Sequence, residues 1–243
     1  MARRTGNSRR RGLRNLTGIF RLADILPWGR TRAEYTAFFG LAALDPKSRL
    51  LDCAGGPASF NAEMTDAGFS VVSADPLYRF SAKAIAGRGD EPRAQMEAGL
   101  RANRHRFVLN GPGAIRRHLQ TRETATSRFL ADYKAGRRAG RYRVAALPDL
   151  PFAAGSFDLA LCSHYLFLYS GHLDTAAHIA AIAAMLDAAP EARIFPLLDL
   201  DGEPSRHVDP VRAALEARGH GAAFERVDYE FQKGGHAMLR VWR

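Results

Sequence analysis

Asp52-Cys53-Ala54-Gly55-Gly56-Pro57 stands directly behind the apolar pair Leu50-Leu51, and Asp75-Pro76 follows Gly56 at a distance of nineteen positions. Small residues at the end of a buried parallel strand let a ligand press against backbone. An acid closing the next strand can accept hydrogen bonds from both hydroxyls of a ribose. The pattern therefore predicts a nucleoside cofactor held by the backbone of Ala54, Gly55 and Gly56, with Asp52 organising the turn and Asp75 on the ribose beside Pro76. The competing reading of Asp75 is a turn or helix N-cap aspartate before a proline. G-x-G-x-x-G is absent because no third glycine opens the following helix, which speaks against a nicotinamide-dependent oxidoreductase. His164 is the second chemical candidate. An imidazole with an unperturbed pKa of about 6.5 moves protons near neutrality, so His164 is expected to act as a base or acceptor-orienting residue, or else to be a hydrogen-bonded structural histidine. Tyr165 and Tyr169 beside it are expected to build a pocket wall.

The elements that must position these residues read as strand, glycine turn, helix, strand, acid. The stretch resembles motif I of the class I S-adenosylmethionine-dependent methyltransferases, D-x-G-x-G-x-G, with Asp52, Ala54, Gly56 and Ala58 at its defined positions. Three further segments are similar to that family. Ala145 to Ser163 looks like the end of the third strand, the Leu150-Pro151-Phe152 turn and the fourth strand, with Ser163 at the pocket. Where the family often carries an aspartate toward the adenine amine this chain has Ala146, so the backbone near Leu147 is expected to meet the ring. Phe224–Phe231 and His236–Trp242, separated by Gln232-Lys233-Gly234-Gly235, read as a closing antiparallel hairpin. Asp209-Pro210-Val211 reads as the capped start of the helix before it, with Gly219 as its end. Ser163–Ser170 and Ile194–Leu198 resemble a bacterial subgroup of such proteins. The resemblance implies an α/β, Rossmann-like, doubly wound and mostly parallel seven-stranded sheet with a C-terminal antiparallel hairpin. It also implies S-adenosylmethionine as cofactor and methyl transfer as activity. Such a displacement depends mainly on holding donor and acceptor together, with a base only where the acceptor must lose a proton.

Outside the sheet, Thr31-Arg32-Ala33-Glu34 reads as a capping box before Tyr35, Phe38, Phe39 and Ala42, with Pro27-Trp28-Gly29 as the hinge ahead of it. Leu13, Leu16 and Phe20 share one face of a short basic helix, and residues 1–12 are too polar to bury a core. Pro76 to Tyr142 spans 67 residues, where a bare crossover needs about 20 to 30. A helical insertion is expected there, with helices over Ser81–Phe107, interrupted near Gly87–Asp90, and over Ala114–Lys134. The domain reading is a basic arm, 1–32, followed by a methyltransferase domain, 33–243, with a basic helical insertion, 79–143.

Charge is segregated along the 243 residues. The net charge is +10, with +8 in residues 1–32, +11 in residues 79–143, and −9 in the rest. Basic charge gathered into an arm and an insertion suits an anionic acceptor, either a small molecule or a phosphate-bearing polymer; a solvated basic surface is the plain alternative. A non-catalytic nucleic-acid-binding protein retaining the fold is the competing function. N-P-P-Y and a Pro-Cys nucleophile are absent, as are a phosphate loop, a G-x-S-x-G elbow and metal-ligand histidine spacing. No metal is expected, and His172 and His178 flank a helix explained by Ile179, Ile182 and Leu186. Cys53 and Cys162 read as buried, inert thiols. With no apolar run of membrane-span length and no signal-peptide core, a cytoplasmic protein is expected.

Overall fold

In a computed structural model, the protein is described over residues 29–87 and 90–243. The expectations for residues 1–28, including the basic helix and most of the hinge, lie outside the described residues. Helix α1 (Arg32–Phe39) begins with the expected capping box: Thr31 caps Glu34, Glu34 answers to the Thr31 backbone, and Gly40 closes the helix in the left-handed region. Tyr35, Phe38 and Phe39 are buried, whereas Ala42 lies exposed in the turn beyond.

The central layer contains β1 (Arg49–Cys53), β2 (Ser70–Ala74), β3 (Tyr142–Arg143), β4 (Leu159–Ser163), β5 (Glu191–Phe195), β6 (Gly221–Arg226) and β7 (Ala237–Trp242). Their order is β3-β2-β1-β4-β5-β7-β6. The first five strands run parallel, and β7 lies antiparallel between β5 and β6. The interior strands are apolar on both sides because both faces are covered. On one face α1 and α2 (Phe60–Asp66) pack Phe38, Phe39, Phe60 and Met64 against Leu50 and Leu161. On the other, α6 (Thr175–Ala188) and α7 (Val208–Glu216) bring Ile182, Met185, Val211 and Leu215 onto Leu51, Ile194 and Leu239. Cys53 and Cys162 are register partners on adjacent strands and fully buried.

The insertion contains α3 (Ala82–Ala86), α4 (Asp90–Ala102) and α5 (Ala114–Arg138). The C-terminal half of α5 belongs to the main body. Phe129 and Tyr133 pack on Tyr78 and Tyr142, and Asp132 takes two hydrogen bonds from Arg141, at 2.7 and 2.6 Å. Its N-terminal half closes a smaller cluster with α4 through Leu100, Ile115 and Leu119. Arg122 and Arg128 on α5 pair with Glu34 and Asp66 of the sheet-covering helices. Part of the charge segregation is therefore an attachment of the insertion to its own domain.

Three boundaries differ from expectation. β3 stops at Arg143, before Ala145. The hairpin strands are Gly221–Arg226 and Ala237–Trp242, because Gly221 pairs with Trp242 and a Cβ there would run into the indole. Beyond the last bond, from Val227 N to His236 O at 2.9 Å, residues 228–235 leave the ladder, since Tyr229 turns onto Phe38, with ring centroids 4.5 Å apart, and Phe231 onto Phe107 of the insertion. Helix α7 starts at Val208 with His207 at the cap position, which puts Asp209 and Pro210 inside the first turn, where an acid and a missing N–H are tolerated.

Candidate functional site

A doubly wound sheet offers its ligand crevice at the carboxyl ends of the strands, where the connections part to opposite faces. Here that point lies between β1 and β4, and a cavity of about 700 Å³ opens over it, within the roughly 300–1,000 Å³ of small-molecule sites. Ala54, Gly55, Gly56, Asp75, Pro76, Leu147, Ser163 and His164 all line it. Asp52 does not; it lies beneath.

The glycine turn is tied down from below. Tyr35 Oη donates to Asp52 Oδ1 at 3.0 Å, and Ser73 Oγ donates to Oδ2 at 2.8 Å. Burial pushes the Asp52 carboxyl up to about 7 despite these two bonds. A Cβ on Gly55 would press on Asp52 Oδ2 and stand 3.0 Å from Tyr78 Oη, so the close packing of turn on carboxylate requires glycine. Gly56 has φ +54° and Ala54 φ +55°, the left-handed region in which an alanine is strained. Tyr78 Oη donates to Gly56 O at 2.8 Å.

Asp75 holds the turn from the side. Its Oδ2 accepts from Gly56 N at 2.9 Å and its Oδ1 from Leu77 N at 2.7 Å. The side chain caps the short helical turn at Pro76, as the competing reading had it, and also lines the cavity. Burial raises its carboxyl to about 6. Each oxygen keeps a second lone pair for a ligand hydroxyl.

His164 is half-buried at the end of β4 with φ +52°, outside ordinary histidine backbone space. Its Nδ1 lies 2.7 Å from Ser163 Oγ, and its ring packs on Phe38 and Phe195 at 5.0 and 5.4 Å. Burial, followed by the charges of Arg30 and Arg122, holds its basicity well below the usual imidazole range. The expectation of a base rested on ordinary basicity, which these surroundings lower.

Sequence reasoning missed Arg30, Tyr35 and Asp149, which also line the cavity. Tyr35 was read only as a core residue. Asp149 lies three residues beyond Ala146 on the same turn, a proximity visible in the sequence. Arg30 carried no signal beyond its charge. The far wall comes from the insertion and the β6–β7 connection: Val108 N donates to Phe231 O at 2.7 Å and Lys233 N to Arg106 O at 2.9 Å. Among the described residues there is no grouping of side chains suited to a metal and no helix long and apolar enough to cross a membrane.

Strand order, closing antiparallel strand and acid-held glycine turn define a Rossmann-like fold of the class I methyltransferase type. The chain belongs to the family of a Methanocaldococcus jannaschii protein, Uncharacterized protein MJ0045, to which it is 32% identical over 223 residues, covering 91% of this chain and 98% of that one. No family model matches it. Among solved structures it is similar to magnesium protoporphyrin IX methyltransferase of Synechocystis PCC 6803 with bound SAM, at 13% identity and TM-score 0.46, over 87% of this chain and 77% of the other. It is also similar to the PH0226 protein of Pyrococcus horikoshii OT3, at 13% identity and TM-score 0.45, over 87% and 89%.

Proposed function

We propose that this protein transfers a methyl group from S-adenosylmethionine to a small-molecule acceptor. The observation that carries the reading is the glycine turn at the mouth of the cavity. Its tight backbone leaves no room for a Cβ at Gly55, and Asp75 is anchored through Gly56 N and Leu77 N while still facing the cavity. These residues suit a nucleoside donor. The backbone of Ala54, Gly55 and Gly56 would take its amino-acid portion, Asp75 beside Pro76 would accept from the ribose hydroxyls, and the turn from Leu147 to Asp149 would flank the adenine. When bound, the cofactor supplies an activated methyl sulfonium. Asp52 acts beneath the turn as its organiser, through Tyr35 and Ser73.

The chain's remaining task is to hold an acceptor against that donor and exclude water, which accounts for most of the acceleration such displacements need. Ser163 fixes His164 through Nδ1, leaving Nε2 as the ring atom that can orient an acceptor. The cavity is walled on the far side by the insertion, which supports a small molecule over a polymer threaded across an open groove. The chain would be an enzyme of the transferase class.

Calorimetric titration of the purified protein with S-adenosylmethionine and S-adenosylhomocysteine, with NADH as contrast, tests the donor assignment. Saturable one-to-one binding of the sulfur compounds and none of NADH is expected, with Asp75→Ala weakening affinity at least tenfold while the domain stays folded. No binding of either sulfur compound would overturn the reading. Unchanged affinity in Asp75→Ala would reject the ribose role alone.

A further inference from the structure

Among the described residues, a buried group of charges beside His164 does not sum to zero. Glu34 accepts from Arg122 NH2, from the Thr31 backbone at 2.9 Å and from Tyr229 Oη at 3.4 Å. Arg30 NH1 lies 3.6 Å from the same carboxylate, beyond hydrogen-bond reach, and donates to no other group among the described residues. Arg122 is 5% exposed, and its Nε and NH1 are buried without acceptors. One carboxylate therefore serves two guanidinium groups. His118 adds no further positive charge: burial and the neighbouring arginines lower it to about 3, so it is neutral. The cluster of described residues retains one positive charge in a poorly hydrated place, with three buried guanidinium nitrogens unspent as donors. A buried surplus of this kind is costly unless an anion completes it. Arg30 forms part of the cavity wall, which continues past His164 along Tyr165, Phe195, Tyr229 and Phe231.

We propose that this end of the cavity, walled by Arg30 and backed by Arg122, is an anion subsite that takes the planar oxyanion, carboxylate or phenolate, of a small aromatic acid. Guanidinium forks match a planar oxyanion in geometry and charge, and the aromatic wall accommodates the ring that carries it. Calling this ligand the methyl acceptor rests on the donor reading above. In that case the oxyanion's lone pair forms the new O–C bond as the C–S bond of the sulfonium breaks, with the bonding pair remaining on sulfur. No proton is left on the acceptor oxygen, so His164 needs no basicity. Burial first, and this surplus charge second, suppress protonation of His164; the charge also favours the ionised form of an acidic acceptor.

The test is calorimetry of the full-length protein with 4-hydroxybenzoate and its matched amide, 4-hydroxybenzamide, run without cofactor and again with saturating S-adenosylhomocysteine. The acid should bind at least tenfold more tightly than the amide. That preference should vanish in Arg30→Gln, persist in part in Arg30→Lys, and survive Arg79→Gln at the exposed rim. A thermal melt checks that each variant is folded. Equal affinities, binding of neither probe, a preference surviving Arg30→Gln, or its loss in Arg79→Gln would overturn the subsite. Because the cofactor-free arm does not depend on the donor, failure of S-adenosylmethionine to bind leaves this result readable.

Discussion

Ala54 takes a left-handed backbone with its Cβ in place, where the related motif has glycine. Two effects compete when that Cβ is removed. Relief of left-handed strain is worth roughly 1–2 kcal/mol, and the added freedom of glycine in the unfolded chain takes back about 0.4–1 kcal/mol. Relief wins, so Ala54→Gly should stabilise the protein by about 1 kcal/mol or less in urea melts. Gly55→Ala should do the opposite, losing roughly 1–3 kcal/mol, because its Cβ meets Asp52 Oδ2 in a place with no slack. Equal stability of the two variants would contradict the geometry of the turn. His164 leads to a kinetic expectation at the same scale. Its protonation is suppressed by burial and by Arg30 and Arg122, so His164→Ala should lower turnover without changing the shape of the pH–rate profile between pH 6 and 8. Loss of an ionisation from that profile in the variant would restore a base.

At the scale of elements, the cavity is closed by a clip between two segments distant in sequence. Phe107 forms an antiparallel bridge to Gln232, and Phe231 lies between Phe107, at 4.9 Å, and His118, stacked at 4.1 Å. The clip carries only two main-chain hydrogen bonds outside the sheet, so it is among the cheaper parts of the molecule to open. Phe231→Ala should release bound S-adenosylhomocysteine faster, by about tenfold in a stopped-flow displacement, since changes at one interface act mainly on dissociation. An unchanged dissociation rate would mean that ligand leaves by another route. The clip also explains why the expected hairpin strands were misplaced. The alternation of Phe224 to Phe231 reads as one strand, but Tyr229 and Phe231 gain more from packing on α1 and the insertion than from extending a ladder.

At the scale of the whole molecule, buried carboxyls and buried histidines set opposing pH dependences. Asp52 is raised to about 7 by burial, so the folded state binds its proton more tightly than the unfolded chain. Its contribution to stability is full below about pH 4 and is lost as pH rises through 7. His118, His164 and His178 are lowered, chiefly by burial; their contribution is lost as pH falls below about 6.5, where the unfolded chain takes up protons first. Asp52→Asn isolates the carboxyl. Between pH 5 and 8 the wild type should lose stability relative to this variant, on the order of a few kcal/mol, in parallel urea melts. Profiles that stay parallel would show that Asp52 keeps ordinary acidity in the fold.

What the sequence determined by itself is local. The capping box at Thr31, the strand–turn–helix around Gly55 and Gly56, Asp75 at the end of β2 and the helices of the insertion all depend on neighbours a few positions apart, whose backbone preferences and side-chain periods act at short range. Tertiary structure alone decided the chemistry of the cavity. Glu34 and Arg122 are 88 positions apart, and the Phe107–Phe231 clip joins an insertion to a terminal hairpin. The basicity of His164 depends on burial and on charges delivered by two other elements. Desolvation and unshielded charge act through space, and no spacing along the chain encodes them until the fold has brought those groups together.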